Sequence, residues 1–131
     1  MANIANIVVK KTDGTTDVTF TAQNGASSDG KPAVWQNIAS ATIRGYRSTL
    51  QMTAKLNGTK TARRVDGLAR FPVVRLVSGV ETVVGQIPVA VTAPIPEWAS
   101  DAEVAEAIDQ ALNLFASPHF RTHMKSGSAP V

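Results

Sequence analysis

Residues 49–56 alternate in polarity without a break and end at Asn57-Gly58, a dipeptide suited to a two-residue turn in which both positions take φ > 0. Successive side chains of an extended strand point to opposite faces. Arg47, Thr49, Gln51, Thr53 and Lys55 therefore fall on one face, and Tyr46, Ser48, Leu50, Met52, Ala54 and Leu56 on the other. A two-residue turn sets Leu56 opposite Thr59, hence Lys55 opposite Lys60, Thr53 opposite Ala62, Gln51 opposite Arg64 and Thr49 opposite Asp66. The polar face then continues across the turn as Lys60, Ala62, Arg64 and Asp66. This predicts a flat, cationic surface carrying hydroxyl and amide groups. A solvated sheet face is the plain alternative, because antiparallel sheets commonly leave one face wet.

Charge is distributed unevenly around that hairpin. Between Arg44 and Val80 stand eight basic residues (Arg44, Arg47, Lys55, Lys60, Arg63, Arg64, Arg70 and Arg75) against the single acid Asp66. From Glu97 to Asn113 the balance inverts, with Glu97, Asp101, Glu103, Glu106 and Asp109 and no Lys or Arg. A net charge of +3 hides this division into a basic central region and an acidic later one. The arrangement suggests a polyanion on one side and water or a protein partner on the other.

The 131 residues fit a single domain, 1–131, with a hairpin over 4–22, a sheet over 33–93 and helices over 100–125. Ile4 to Val9 and Asp17 to Thr21 flank Thr12-Asp13-Gly14-Thr15, so the chain opens with a β-hairpin. After the turn-forming stretch from Gln23 to Lys31, Ala33 to Asn37 reads as a short strand whose Trp35 is a core anchor. Leu68 to Ser78 and Val80 to Thr92 supply two more strands, joined by Ser78-Gly79. Pro88 interrupts the last of them, which is bulged there or lies at a sheet edge.

Ser100-Asp101-Ala102-Glu103 is a capping box that opens a helix to about Phe115, with Val104, Ile108, Ala111 and Phe115 as its buried stripe. Ser117-Pro118 starts a second short helix to about Lys125. Five strands span about 24 Å, whereas one helix covers a strip about 10–12 Å wide. The expectation is a dimer in which each subunit lays its helices over its partner's strands.

No apolar run approaches the length of a membrane helix, and the amino terminus lacks the basic and apolar pattern of a secretory signal, which points to cytosolic production. Cysteine is absent, which removes disulfides, thiolate metal sites and thiol nucleophiles. His119 and His123 have the spacing of two metal ligands, but no third ligand is near in sequence, so no metal site is expected. Gly25 and Gly30 lack the Lys-Ser/Thr ending of a phosphate loop, and the paired carboxylates sit on the acidic helix, where capping and solvation account for them. No catalytic constellation and no cofactor site emerges.

Taken in order, the opening hairpin, the Ala33-Val34-Trp35 strand, the polar-faced central hairpin, the long last strand and the Ser100-Asp101 helix start resemble the coat proteins of single-stranded RNA bacteriophages, the levivirus type. The resemblance spans nearly the whole chain and rests on order and spacing, its individual motifs being short. It implies an α+β fold with an N-terminal β-hairpin, a five-stranded antiparallel sheet and two C-terminal helices. It further implies an interlocked homodimer with a continuous sheet, assembled into an icosahedral capsid, commonly of triangulation number three.

In that family an RNA hairpin of the genome binds the inner sheet face and links the coat to translational repression. Carried over by position, the RNA-binding residues would be Arg47, Thr49, Gln51, Thr53, Lys55, Lys60, Arg64 and Gln86. Gln86 stands where several members carry a base-stacking aromatic residue, and Pro88 and Ala90 replace polar positions nearby. The segment from Arg70 to Glu81 would line the interfaces around the shell's symmetry axes. The implied location is the virion, after synthesis in a bacterial cytoplasm, with no membrane partner. A small dimeric RNA-binding regulator that forms no shell is the alternative, and particle formation separates the two.

Overall fold

Six strands follow one another in sequence order across one antiparallel sheet, and two helices follow them, in the computed structural model, which describes residues 4–28, 30–41, 43–56 and 63–130. The strands are β1 (Ile7–Lys10), β2 (Asp17–Asn24), β3 (Ala33–Gln36), β4 (Thr49–Leu56), β5 (Arg63–Val77) and β6 (Val80–Ile95). The helices are α1 (Asp101–Phe115) and α2 (Pro118–Ser126). The chain divides into two compact units, Met1–Pro94 and Ile95–Val131.

The opening hairpin is not separate from the sheet. Its second arm pairs with β1 on one side and β3 on the other, with a bulge between Ala22 and Asn24. At the hairpin's tip the Asp13 carboxylate accepts from the amides of Thr15 and Thr16, both at 2.9 Å, and Gly14 takes φ 74°. Such an Asx turn fixes the connection by local hydrogen bonds alone. Asp13 is lowered to a pKa of about 2, first by the Thr16 hydroxyl and then by the Thr16 and Thr15 amides.

The expected five strands over 33–93 are four. The sequence pattern predicts a break near Gly67, but residues 63–77 form one strand of 15 residues. The β4 ladder runs through Gly67, which lies opposite Met52, so the backbone stays paired at a glycine that could have ended it. Pro72 lies beyond Arg70, the last β5 residue that β4 pairs with, so its missing N–H breaks no β4 bond. Ser78 (φ 51°) and Gly79 (φ 79°) then form a two-residue turn with both positions left-handed, the geometry that matches strand twist. Pro88 sits on β6, the last strand in the sheet order, where one side of the strand has no neighbouring strand among the described residues.

Two side chains form the buried core among the described residues, Phe20 and Trp35. Trp35 pairs with Ala22 on one side and Leu50 on the other, and Phe20, two residues before Ala22, shares that face. The Trp35 indole Nε1–H donates to the Ala5 carbonyl at 2.7 Å, so the ring's polar atom is satisfied where it is buried.

In the helical unit the capping box forms as expected. Ser100 Oγ accepts from the Glu103 amide at 3.3 Å, and Glu103 Oε1 accepts from the Ser100 amide at 3.1 Å. Ser117 caps α2 in the same way, accepting from the Phe120 amide, and Gly127 closes it at φ 74°. Val104, Ile108 and Ala111 are half-buried. Phe115 is exposed rather than buried, because its ring turns onto Phe120 at a centroid distance of 5.1 Å instead of entering a core.

Candidate nucleic-acid interface

β4 and β5 pair four residues later than a two-residue turn requires. Leu56 lies opposite Arg63, Lys55 opposite Arg64, Thr53 opposite Asp66, Gln51 opposite Leu68 and Thr49 opposite Arg70. These pairs replace the expected Lys55–Lys60, Thr53–Ala62, Gln51–Arg64 and Thr49–Asp66, and the connection is the six residues 57–62. The reason lies on the other face. The expected register sets Arg63 against Met52, in the middle of the apolar side, whereas the observed one moves Arg63 to the end of the ladder and gives Met52 the glycine at 67 and Leu50 the alanine at 69. Shifting a charge from the middle of the apolar face to its end offsets the entropy of a loop four residues longer, which costs only about 1 kcal/mol.

Because four is an even number, the paired residues of β4 and β5 keep their predicted faces. Thr49, Gln51, Thr53 and Lys55 share a side with Arg64, Asp66, Leu68 and Arg70. The pairing of β3 extends that side, since Gln36 lies opposite Thr49 and Thr21 opposite Gln36. One row across the sheet thus reads Thr21, Gln36, Thr49, Arg70, and another reads Lys55, Arg64. Lys60 lies outside the described residues, as do Asn57-Gly58 and Ala62.

Asp66 organises the electrostatics of the face. Its Oδ1 accepts from the Thr92 hydroxyl of β6 at 2.9 Å and from Arg64 Nε at 3.0 Å. Both bonds favour the charged form, so its carboxyl is held below the usual carboxylate value, with the Thr92 bond the largest cause and Arg64 the next. Arg64 is thereby gripped through Nε on a side chain that is 43% exposed. Lys55 and Arg70 are exposed, while Thr49, Gln51 and Thr53 are half-buried.

Arg47 does not belong to β4. It follows the short 3-10 turn Arg44–Tyr46, and its guanidinium donates from Nε to the Ala41 carbonyl at 2.8 Å and from Nη1 to Gln36 Oε1 at 3.2 Å. These bonds brace the loop before β4 against β3. Gln86 is exposed on β6, six residues before Thr92 with Pro88 between them.

Sequence reading misses Arg70, Gln36, Thr21 and the Asp66–Thr92 bond. Alternation carries the information for β3 and β6, but the rows form only once the register is known. The arrangement can hold an extended polyanion: cations in two rows meet phosphates, and the hydroxyl and amide groups between them supply donors and acceptors.

Solved structures with a similar fold include virus-like particles and a phage capsid protein. The virus-like particle of Beihai levi-like virus 21 superposes with a TM-score of 0.83 at 18% identity, covering 99% of each chain. The virus-like particle of bacteriophage NT-214 also gives 0.83, at 17% identity over 99% of this chain and 100% of that one. The fold is that of a levi-like phage coat protein. The bacteriophage GA capsid protein shares the coat fold as well, with a TM-score of 0.74 at 21% identity over 98% of both chains. No protein-family model and no curated protein matches the sequence.

Proposed function

We propose that this chain is a capsid protein, a single coat domain that pairs as a homodimer with a continuous sheet, assembles into an icosahedral shell and holds single-stranded RNA on the face of Thr49, Gln51, Thr53, Lys55, Lys60, Arg64 and Gln86, with Arg47 at its margin. Its role is structural, with no catalytic step. The observation that carries the reading is the row in which Lys55 stands directly opposite Arg64. Like charges paired across strands are destabilising unless an anion lies over them. The one acid on this face of β4 and β5 among the described residues, Asp66, is already bonded to Arg64 and Thr92. Phosphates over the row would release condensed counterions, and a shell presents the row many times.

Two features favour pairing of subunits. On the strand unit, Met52 and Ile87 are exposed, and on the helical unit Leu112 and Leu114 are, at 50% and 67%. Apolar surface open on both units is what a second copy would bury, and the free side of β6 is an edge that a second sheet can extend. Repression of translation through a genomic RNA hairpin, a triangulation number of three, and a virion location after synthesis in a bacterial cytoplasm follow from the same reading.

Electron microscopy and light scattering of the recombinant protein decide the matter. Spherical particles that carry nuclease-protected RNA are expected. A homogeneous dimer that binds RNA but never forms particles would instead make the protein a small RNA-binding regulator.

A further inference from the structure

His119 and His123 stand one turn apart on α2, and their rings meet edge to face, with centroids 4.8 Å apart and planes at 70°. Nδ1 of His123 lies 3.1 Å from the backbone carbonyl oxygen of Ser128. A carbonyl oxygen only accepts, so in the neutral ring Nδ1 carries the proton and Nε2 keeps its lone pair. That is how ligating imidazoles are commonly held: one ring nitrogen donates to a carbonyl and fixes the tautomer, leaving the other for a metal.

The support for this pair is built into the end of the helix. Gly127, at φ 74°, turns the chain back so that its amide bonds to the His123 carbonyl at 3.0 Å and the Ser128 amide bonds to the same oxygen at 3.3 Å. The returning segment and the helix enclose an open hollow of about 380 Å³ lined by His119, Phe120, His123, Met124, Ser128 and Pro130 among others. With a metal–nitrogen distance of about 2.1 Å and a ring centre about 1.2 Å further on, an angle of about 90–110° at the metal requires centroids about 4.7–5.4 Å apart. The observed separation falls inside that window.

We infer that His119 and His123 form a two-imidazole chelate for a borderline divalent cation, taking copper(II) in preference to nickel(II) or zinc(II). Paired histidines four residues apart on one helix face are a recurrent metal-binding element, and imidazole suits all three ions, with copper(II) the tightest. The want of a third ligand in the sequence argues against a closed site. Among the described residues no group of three or more His, Cys, Asp or Glu is placed to hold a metal ion. Two adjacent imidazoles, one of them held by the Ser128 carbonyl, with water at the remaining positions meet the need of such an ion. The inference is independent of the coat-protein reading.

Calorimetric titration of the full-length protein with copper(II) and nickel(II) chloride, in a buffer that does not chelate, tests it together with electron paramagnetic resonance of the copper form. One copper ion per chain is expected, with two nitrogen couplings, and His119→Ala or His123→Ala should weaken binding at least tenfold. A His119→Ala/His123→Ala variant that binds copper as tightly as the parent overturns the inference. So does a parent spectrum with fewer than two imidazole nitrogens, which decides the question even where an alanine variant fails to fold.

Discussion

Lys55 on β4 lies directly opposite Arg64 on β5, and Asp66, one row further along the same face, holds Arg64 by Nε and Thr92 by its hydroxyl. The two cations are therefore not equivalent. Lys55 has no acid opposite it, while part of the Arg64 charge is already compensated.

Under the proposed RNA binding, this difference sets the expected salt dependence. Lys55→Gln should reduce the slope of log affinity against log salt by about 0.7 for each phosphate of a single strand that is no longer neutralised. Arg64→Gln should weaken binding more than that, because it leaves the Asp66 carboxylate facing the RNA uncompensated. Filter binding across a series of salt concentrations measures both, and a slope unmoved by Lys55→Gln would place that residue away from the nucleic acid.

The register can be tested with engineered disulfides, which is convenient because the chain contains no cysteine. Gln51 lies opposite Leu68, at a Cα separation of about 4.5–5.5 Å, within the reach of a disulfide. Gln51→Cys with Leu68→Cys should cross-link within one chain on mild oxidation. Gln51→Cys with Arg64→Cys, displaced by four residues or about 13 Å along the strand, should not. Mass spectrometry after thiol alkylation reads the result, and the opposite pattern would restore the two-residue turn.

Trp35 should be the costliest position in the strand unit. Trp35→Ala removes a large buried ring and should lower stability by about 3–5 kcal/mol, whereas Trp35→Phe keeps most of the packing and loses the bond to the Ala5 carbonyl, for a cost of about 1 kcal/mol. Urea denaturation of the dissociated subunit measures both. A loss well under 1 kcal/mol for Trp35→Ala would show that the core lies elsewhere.

Acid should open the first hairpin late. The Asp13 carboxyl has a folded pKa of about 2 against an ordinary value of 3.8, so its contribution is fully present above 3.8 and disappears as pH falls through about 2. Amide exchange at Thr15 and Thr16, followed by NMR as pH is lowered, should accelerate with a midpoint near 2. A midpoint near the unperturbed value would mean that the carboxylate does not hold the turn.

Much of this architecture is legible from local pattern. The capping box at Ser100 and Glu103, the Ser117-Pro118 start of α2 and the Ser78-Gly79 turn depend on residues close in sequence, and each forms where its residues predict. The Asn57-Gly58 pair misleads, because a dipeptide that suits a tight turn does not compel one when the register it sets would place Arg63 against Met52. The same error hides Arg70, which comes into the row of Thr49 only through the longer connection. Alternation places Arg47 in the strand, yet its guanidinium is bonded to Ala41 and Gln36 before the strand begins.

The sequence by itself determined which residues share a face, since a strand repeats every two residues and a register shift of four leaves that parity unchanged. Only the tertiary structure decided which residues stand opposite one another: Lys55 with Arg64, Trp35 with Leu50, and the Thr92 hydroxyl on Asp66. Those pairings depend on the whole ladder and on both faces at once. Where along an apolar face a charge comes to stand is a property of the assembled sheet, which no local window of residues contains.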